Sequence, residues 1–102
     1  LTSERVPSFL AHNKGDSVAV AMRDLSPGPV EGGYLVGPES IIIELQEPVP
    51  LGHKFALHDI SERDEIVEYG VRVALASKPI SAGQYVHVHN VRSIRWHTSV
   101  AS

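Results

Sequence analysis

The chain has 102 residues, no cysteine and a formal net charge of −3 with its histidines neutral. That length suits one small domain, and the missing thiols exclude disulfides, thiolate nucleophiles and cysteine-held zinc or iron–sulfur sites. Lys and Arg are scattered, with no basic stripe and no interleaved aromatics, which argues against nucleic acid as a partner; no apolar run is long enough to span a bilayer.

Residues 1–15 read as a polar N-terminal arm closed by Gly15-Asp16. The arm lacks the charged-then-apolar layout of an export signal, and a cysteine-free chain fits a cytoplasmic setting. Residues 17–23 alternate as a strand, with Val18, Val20 and Met22 on one face. Residues 25–33 carry Pro27, Gly28, Pro29, Gly32 and Gly33, and are expected to be loop. Residues 34–36 form a short strand and 40–45 a clear one, ended by Pro48 and Pro50. Residues 55–60, 65–69, 71–76 and 85–91 complete the strands. Residues 61–64 alone suggest a helical turn, with Ser61 as its cap. Short strands between Pro- and Gly-rich turns predict an all-β domain over 16–91, followed by a C-terminal tail over 92–102.

A short repeat lies inside this pattern. Glu47-Pro48-Val49-Pro50-Leu51-Gly52-His53-Lys54-Phe55-Ala56-Leu57-His58-Asp59 aligns with Lys78-Pro79-Ile80-Ser81-Ala82-Gly83-Gln84-Tyr85-Val86-His87-Val88-His89-Asn90. Leu25-Ser26-Pro27-Gly28 is a weaker third copy. An apolar anchor, a glycine that permits positive φ and a departing strand together describe a recurring corner. Repeated corners in one domain predict a folded-over β structure and not a flat meander.

The strongest chemical signal is Gly83-Gln84-Tyr85-Val86-His87-Val88-His89-Asn90-Val91. Its alternation predicts one strand, with Tyr85, His87 and His89 on the face opposite Val86 and Val88. At a rise of about 3.3 Å per residue the two imidazoles stand about 7 Å apart. Such a pair suits metal binding, proton movement or hydrogen bonding to a polar ligand. The plain alternative is two exposed strand histidines with no role. Two ligands leave a metal shell incomplete, so His53, Lys54 and His58 are candidates for a third group. Gly52-His53-Lys54, just past a corner, could bind a carboxylate, with Lys54 as the charge and His53 as donor. The charge run 61–65 reads as a solvated loop, and Asp16 and Asp24 read as structural turn residues. Arg92, Arg95 and Trp96 either anchor a partner or, in the case of Trp96, cover the core edge. His12 and His97 fall in the tails. There is no nucleophile elbow, P-loop or dinucleotide fingerprint.

Three blocks in order resemble the altronate/galactarate dehydratase family, specifically its N-terminal SAF domain. They are Gly52-His53-Lys54-Phe55-Ala56-Leu57-His58-Asp59-Ile60, Val67-Glu68-Tyr69-Gly70 and the segment from Gly83 to Val91. Asp16-Ser17-Val18-Ala19-Val20-Ala21-Met22-Arg23-Asp24-Leu25 fits the same pattern. The resemblance implies a β-clip (SAF-like) fold. It also implies a part in dehydrating an aldonic or aldaric acid to a 2-keto-3-deoxy acid. A divalent metal, Fe(II) or Mn(II), is implied too, held mainly by a partner chain. The positions matching the family blocks are His87 and His89, as catalytic groups or metal ligands, and His53, Lys54 and Asn90, as substrate-binding groups. Fused family members continue well beyond this domain, whereas this sequence ends at Ser102. Arg92-Ser93-Ile94-Arg95-Trp96 resembles the tail of stand-alone small subunits. The expected partner is therefore a separate large catalytic subunit, met by Arg92, Arg95 and Trp96, with the isolated chain inactive. Exposed strand edges would also permit a homo-oligomer. The alternative is a non-catalytic SAF-type module for sugar-acid binding or oligomerisation.

Overall fold

The β-branched, alternating segments fold as strands, where branched side chains fit a pleated surface. In the computed structural model, which describes residues 7–93, these are β1 (Phe9–Ala11), β2 (Val18–Ala21), β3 (Gly28–Tyr34), β4 (Ser40–Leu45), β5 (Lys54–Ala56), β6 (Glu65–Glu68), β7 (Val71–Ala76), β8 (Tyr85–Val86) and β9 (Val91–Ser93). No helix occurs among the described residues. Six strands form one sheet in the order β4-β3-β1-β2-β5-β8, and three form a second in the order β6-β7-β9. β1 runs parallel to β3; the other strand pairs are antiparallel. The expected all-β class is the observed one.

β2 and β5 lie between two cores, which fixes their side-chain sizes. One core gathers Phe9, Ala11, Ala19, Ala21, Leu25, Leu45, Val49 and Phe55. The other gathers Val18, Ala56, Ile60, Ile66, Ala74, Ala76, Ile80 and Val86. Phe55 and Ala56 are adjacent in sequence and fully buried in different cores. Phe9 and Phe55 meet edge to face, with ring centroids 5.0 Å apart. Burying each phenyl contributes about 1.5–3 kcal/mol, and the edge contact about 0.5–1.5 kcal/mol more.

The repeated corner is present, and it closes the two cores in the same way. Leu25 and Val49 form an isolated antiparallel bridge, as do Ile60 and Ile80. Asp24 Oδ1 accepts from Leu51 N at 2.8 Å; Asp59 Oδ1 accepts from Ala82 N at 2.9 Å. Gly52 and Gly83 sit at φ 83° and 85°. Gly52 N donates to Ala21 O at 2.8 Å, and Gly83 N donates to Ala56 O at 2.8 Å. A third turn at Ser61–Asp64 follows the same plan, with Arg63 at φ 75° and Arg63 N donating to Ala76 O. It is therefore no helical turn; its aspartate accepts from Ser61 N at 3.4 Å, the reverse of the expected cap.

Several expectations need correction. Residues 9–11 are not part of a polar arm: β1 is an inner strand of the large sheet, because Phe9 supplies a fully buried ring. Residues 28–34 are strand and not loop. Gly32 is needed where β3 crosses β1, since a Cβ there would lie 2.5 Å from the Phe9 carbonyl and ring. β1 pairs only with Gly33 and Tyr34 of β3, so the Pro29 stretch has an open side that tolerates a missing donor. Tyr34 ends this strand, and Leu35 and Val36 form no strand of their own. The strand expected over 55–60 stops at Ala56. The strand expected over 85–91 is broken by a turn between β8 and β9.

Candidate functional site

The site begins at an edge. β8 pairs only with β5, through Lys54↔Val86 and Phe55↔Tyr85, so the outward backbone groups of Tyr85 have no strand partner. Side chains take their place. Glu47 Oε2 accepts from Tyr85 N at 3.0 Å, and Asn90 Nδ2 donates to Tyr85 O at 2.8 Å.

Asn90 also shapes the chain beyond β8. Its Oδ1 accepts from His87 N at 3.0 Å, and its own N donates to His87 O at 3.0 Å. Residues 87–90 therefore form a tight turn, and the strand alternation fails because the Asn90 amide satisfies the backbone in its place. Asn90 is 4% exposed. Both ends of its amide serve the backbone, so its place is in positioning the turn, and the expected substrate contact is not supported. Asn90→Ala is expected to cost about 1–3 kcal/mol, since buried donors and acceptors lose their partners. Urea denaturation gives the stability, and amide shifts over 85–91 report the loosened turn.

The turn gathers aromatic side chains around Tyr85. Its ring stacks on His87 at 5.4 Å with 7° between planes and lies 5.8 Å from His89. His53 arrives from the preceding corner, 5.6 Å from both Tyr85 and His87. The Tyr85 hydroxyl and His53 Nδ1 are 2.5 Å apart. His87 and His89 are exposed, while His53 and Tyr85 are half-buried. The sequence placed Tyr85 on the histidine face without assigning it a role; it is the hub of the cluster.

The remaining candidates are placed differently. Lys54 does not act jointly with His53: its Nζ lies 3.6 Å from Glu68 Oε2. Those two side chains and His87 border a hollow of about 200 Å³ lined mainly by valines. His58 stands outside the cluster, with Nδ1 2.9 Å from the Asp59 carbonyl. His12 is not in a tail; it follows β1 and meets Tyr69 edge to face at 4.7 Å. Arg92 is exposed on β9, while Arg95, Trp96 and His97 lie outside the described residues. A cleft of about 820 Å³ lies between β1 and the β3–β4 hairpin. None of the cluster residues lines it, so the concentration of imidazoles and not cleft size marks the chemical site.

Among the described residues no three His, Asp or Glu side chains come together to hold a metal ion. A catalytic metal site needs about three protein donors, and among the described residues no third ligand joins His87 and His89. What the cluster offers is hydrogen bonding and proton transfer. No described helix is long and apolar enough to cross a membrane.

A family model described as altronate/galactarate dehydratase SAF domain matches residues 7–94. The altronate dehydratase of Bacillus subtilis (strain 168) is 38% identical over 86 residues, covering 84% of this chain and 16% of that protein. The altronate dehydratase of Escherichia coli (strain K12) is 38% identical over 78 residues, covering 76% of this chain and 15% of that protein. The (2R)-sulfolactate sulfo-lyase subunit alpha of Chromohalobacter salexigens is 30% identical over 90 residues, covering 86% of this chain and 96% of that subunit. The chain thus spans about one sixth of the dehydratases and nearly all of the sulfo-lyase subunit.

Proposed function

This chain belongs to the altronate/galactarate dehydratase SAF-domain family, and from that membership we propose that it is the small component of a lyase acting on hydroxylated carboxylic acids. The match along nearly the whole of a sulfo-lyase subunit alpha supports a separate, larger catalytic partner. The reaction assigned is elimination next to a carboxylate, with altronate- or galactarate-type sugar acids as the first substrates to try. The observation that carries the reading is the open cluster of His53, Tyr85, His87 and His89 on the edge of the domain. It gathers proton-handling groups, with no third metal ligand among the described residues, as suits one wall of a composite site.

In this reading the larger chain holds the substrate and any Fe(II) or Mn(II), whose role is to stabilise the charge that develops beside the carboxylate. His87 and His89 face that substrate as hydrogen-bonding or proton-transferring groups. The exposed Arg92, with Arg95 and Trp96, is assigned to the partner interface, and the assembly to the cytoplasm.

The test is to purify the chain with the protein that accompanies it in its native host and to assay sugar acids and sulfolactate with and without iron. Replacing both His87 and His89 with alanine is expected to lower turnover about 10²–10⁴-fold, the usual range for lost acid–base groups. Full turnover by the double variant would refute the composite site. Saturable sugar-acid binding by the chain alone, without any larger partner, would favour a binding module instead.

A further inference from the structure

We propose that His53 and Tyr85 form a coupled proton donor, with Nε2 of His53 protonating the departing hydroxyl of a 2,3-dihydroxy acid while the Tyr85 hydroxyl delivers a proton to Nδ1. The assignment rests on the lyase reading above and adds to it a specific acid and a leaving group. A neutral imidazole has one donor and one acceptor nitrogen. The Tyr85 hydroxyl lies 2.5 Å from Nδ1; in the proposed pair it donates to that nitrogen, which places the ring proton on Nε2. Nε2 has no hydrogen-bond partner among the described residues and is not a buried orphan atom, so it is open to a ligand.

The hydroxyl is held in place by the features that pin Tyr85. Glu47 and Asn90 bind its backbone on both sides, and the parallel His87 ring supports its face. Fixed donors of this kind need no reorganisation when charge develops.

The coupling answers a chemical need. Hydroxide is a poor leaving group and must depart as water. A lone neutral imidazole N–H is a far weaker acid than a phenol. As the C–O bond breaks, its electron pair goes to oxygen, which takes the proton from Nε2. Nδ1 takes the phenolic proton in the same step, so the imidazole stays neutral and the charge rests on the tyrosine oxygen. Nδ1 then hands its proton back to that oxygen while solvent protonates Nε2, which restores the starting tautomer. The proton lost from the carbon beside the carboxylate leaves to a base elsewhere, so one proton is removed and one delivered per water eliminated. A sulfite leaving group departs as a stable anion and needs no such donor. In these terms His53 is the catalytic acid and Tyr85 its positioning and relay residue.

Two measurements on the wild-type chain and the Tyr85→Phe variant test this. Long-range 15N–1H spectra of the histidine rings are expected to show His53 as the Nε2–H tautomer, and Tyr85→Phe, which keeps the stacked ring, to change that tautomer balance. A wild-type ring protonated on Nδ1, or a spectrum indifferent to the substitution, overturns the pair. In the assembly with the larger partner, Tyr85→Phe is expected to lower kcat for dehydration about 10²-fold or more with KM little changed. Undiminished dehydration overturns the proposal and leaves the lyase reading intact. Activity on sulfolactate alone overturns the acid role while still supporting a lyase. No elimination by the wild-type assembly on either class overturns the lyase reading itself.

Discussion

Replacing Gly83 with alanine is expected to destabilise the domain by about 3–5 kcal/mol, whereas the same change at Gly52 costs about 1–2 kcal/mol. The two glycines hold equivalent corner positions with nearly equal φ, 85° and 83°, so the left-handed backbone penalty is shared. Their surroundings differ. A Cβ at Gly52 meets nothing within 4 Å, while one at Gly83 falls 2.0 Å from the Glu44 carbonyl oxygen. The obstacle is backbone, held where Gln46 N donates to Gly83 O at 2.9 Å, so it cannot rotate away as a side chain would. At about 4–8 °C per kcal/mol for a domain of this size, the melting temperature of Gly83→Ala is expected to fall by roughly 15 °C or more. Thermal unfolding followed by circular dichroism compares the variants directly; equal losses would show that the end of β4 does not press on this corner.

Asp16→Ala is expected to cost about 3 kcal/mol. The carboxylate is 1% exposed and accepts three backbone N–H groups: Tyr69 at 2.8 Å, Gly70 at 3.0 Å and Asn13 at 3.3 Å. A hydrogen bond to a charged group contributes about 1.5–3 kcal/mol, and three bonds to one carboxylate do not add independently. Tyr69, at φ 59°, also needs this support, because a non-glycine residue resists that conformation. The local signature is amide exchange: protection at Tyr69 and Gly70 should fall first, with the β3–β4 ladder unaffected. Global unfolding in urea gives the total.

Sequence pattern located the strands that carry their own signal. β4 and β7 match the expected ranges because runs such as Ile41-Ile42-Ile43 and Val71-Arg72-Val73-Ala74 fit a strand without help from distant partners. β1 and β3 were hidden because their reasons are tertiary. Phe9 looks like part of a polar arm until its ring closes on Phe55, and Gly32 looks like a loop signal until the Phe9 carbonyl lies against it. The candidate site was half legible. The sequence assigned His53, His87 and His89 to the site, and placed Tyr85 beside the last two. It could not show that Asn90 turns the chain after Val86, since an alternating Val-His-Val-His pattern gives no sign that an amide will replace the strand ladder. Lys54 was paired with His53 by adjacency, yet Glu68 from another strand engages it.

The interlocked corners also set a tempo. Their bridges join Leu25 to Val49 and Ile60 to Ile80, and β2 joins β5 across a longer separation, while Ser17 reaches Val67. Little of this can form from neighbouring residues, so loop-closure entropy is lost before the two cores repay it. Chains with such non-local pairing fold in about milliseconds to seconds, against microseconds for local helical bundles. During that interval the edge strand β4, with Ile42 69% exposed even in the finished fold, is open to pairing with another chain.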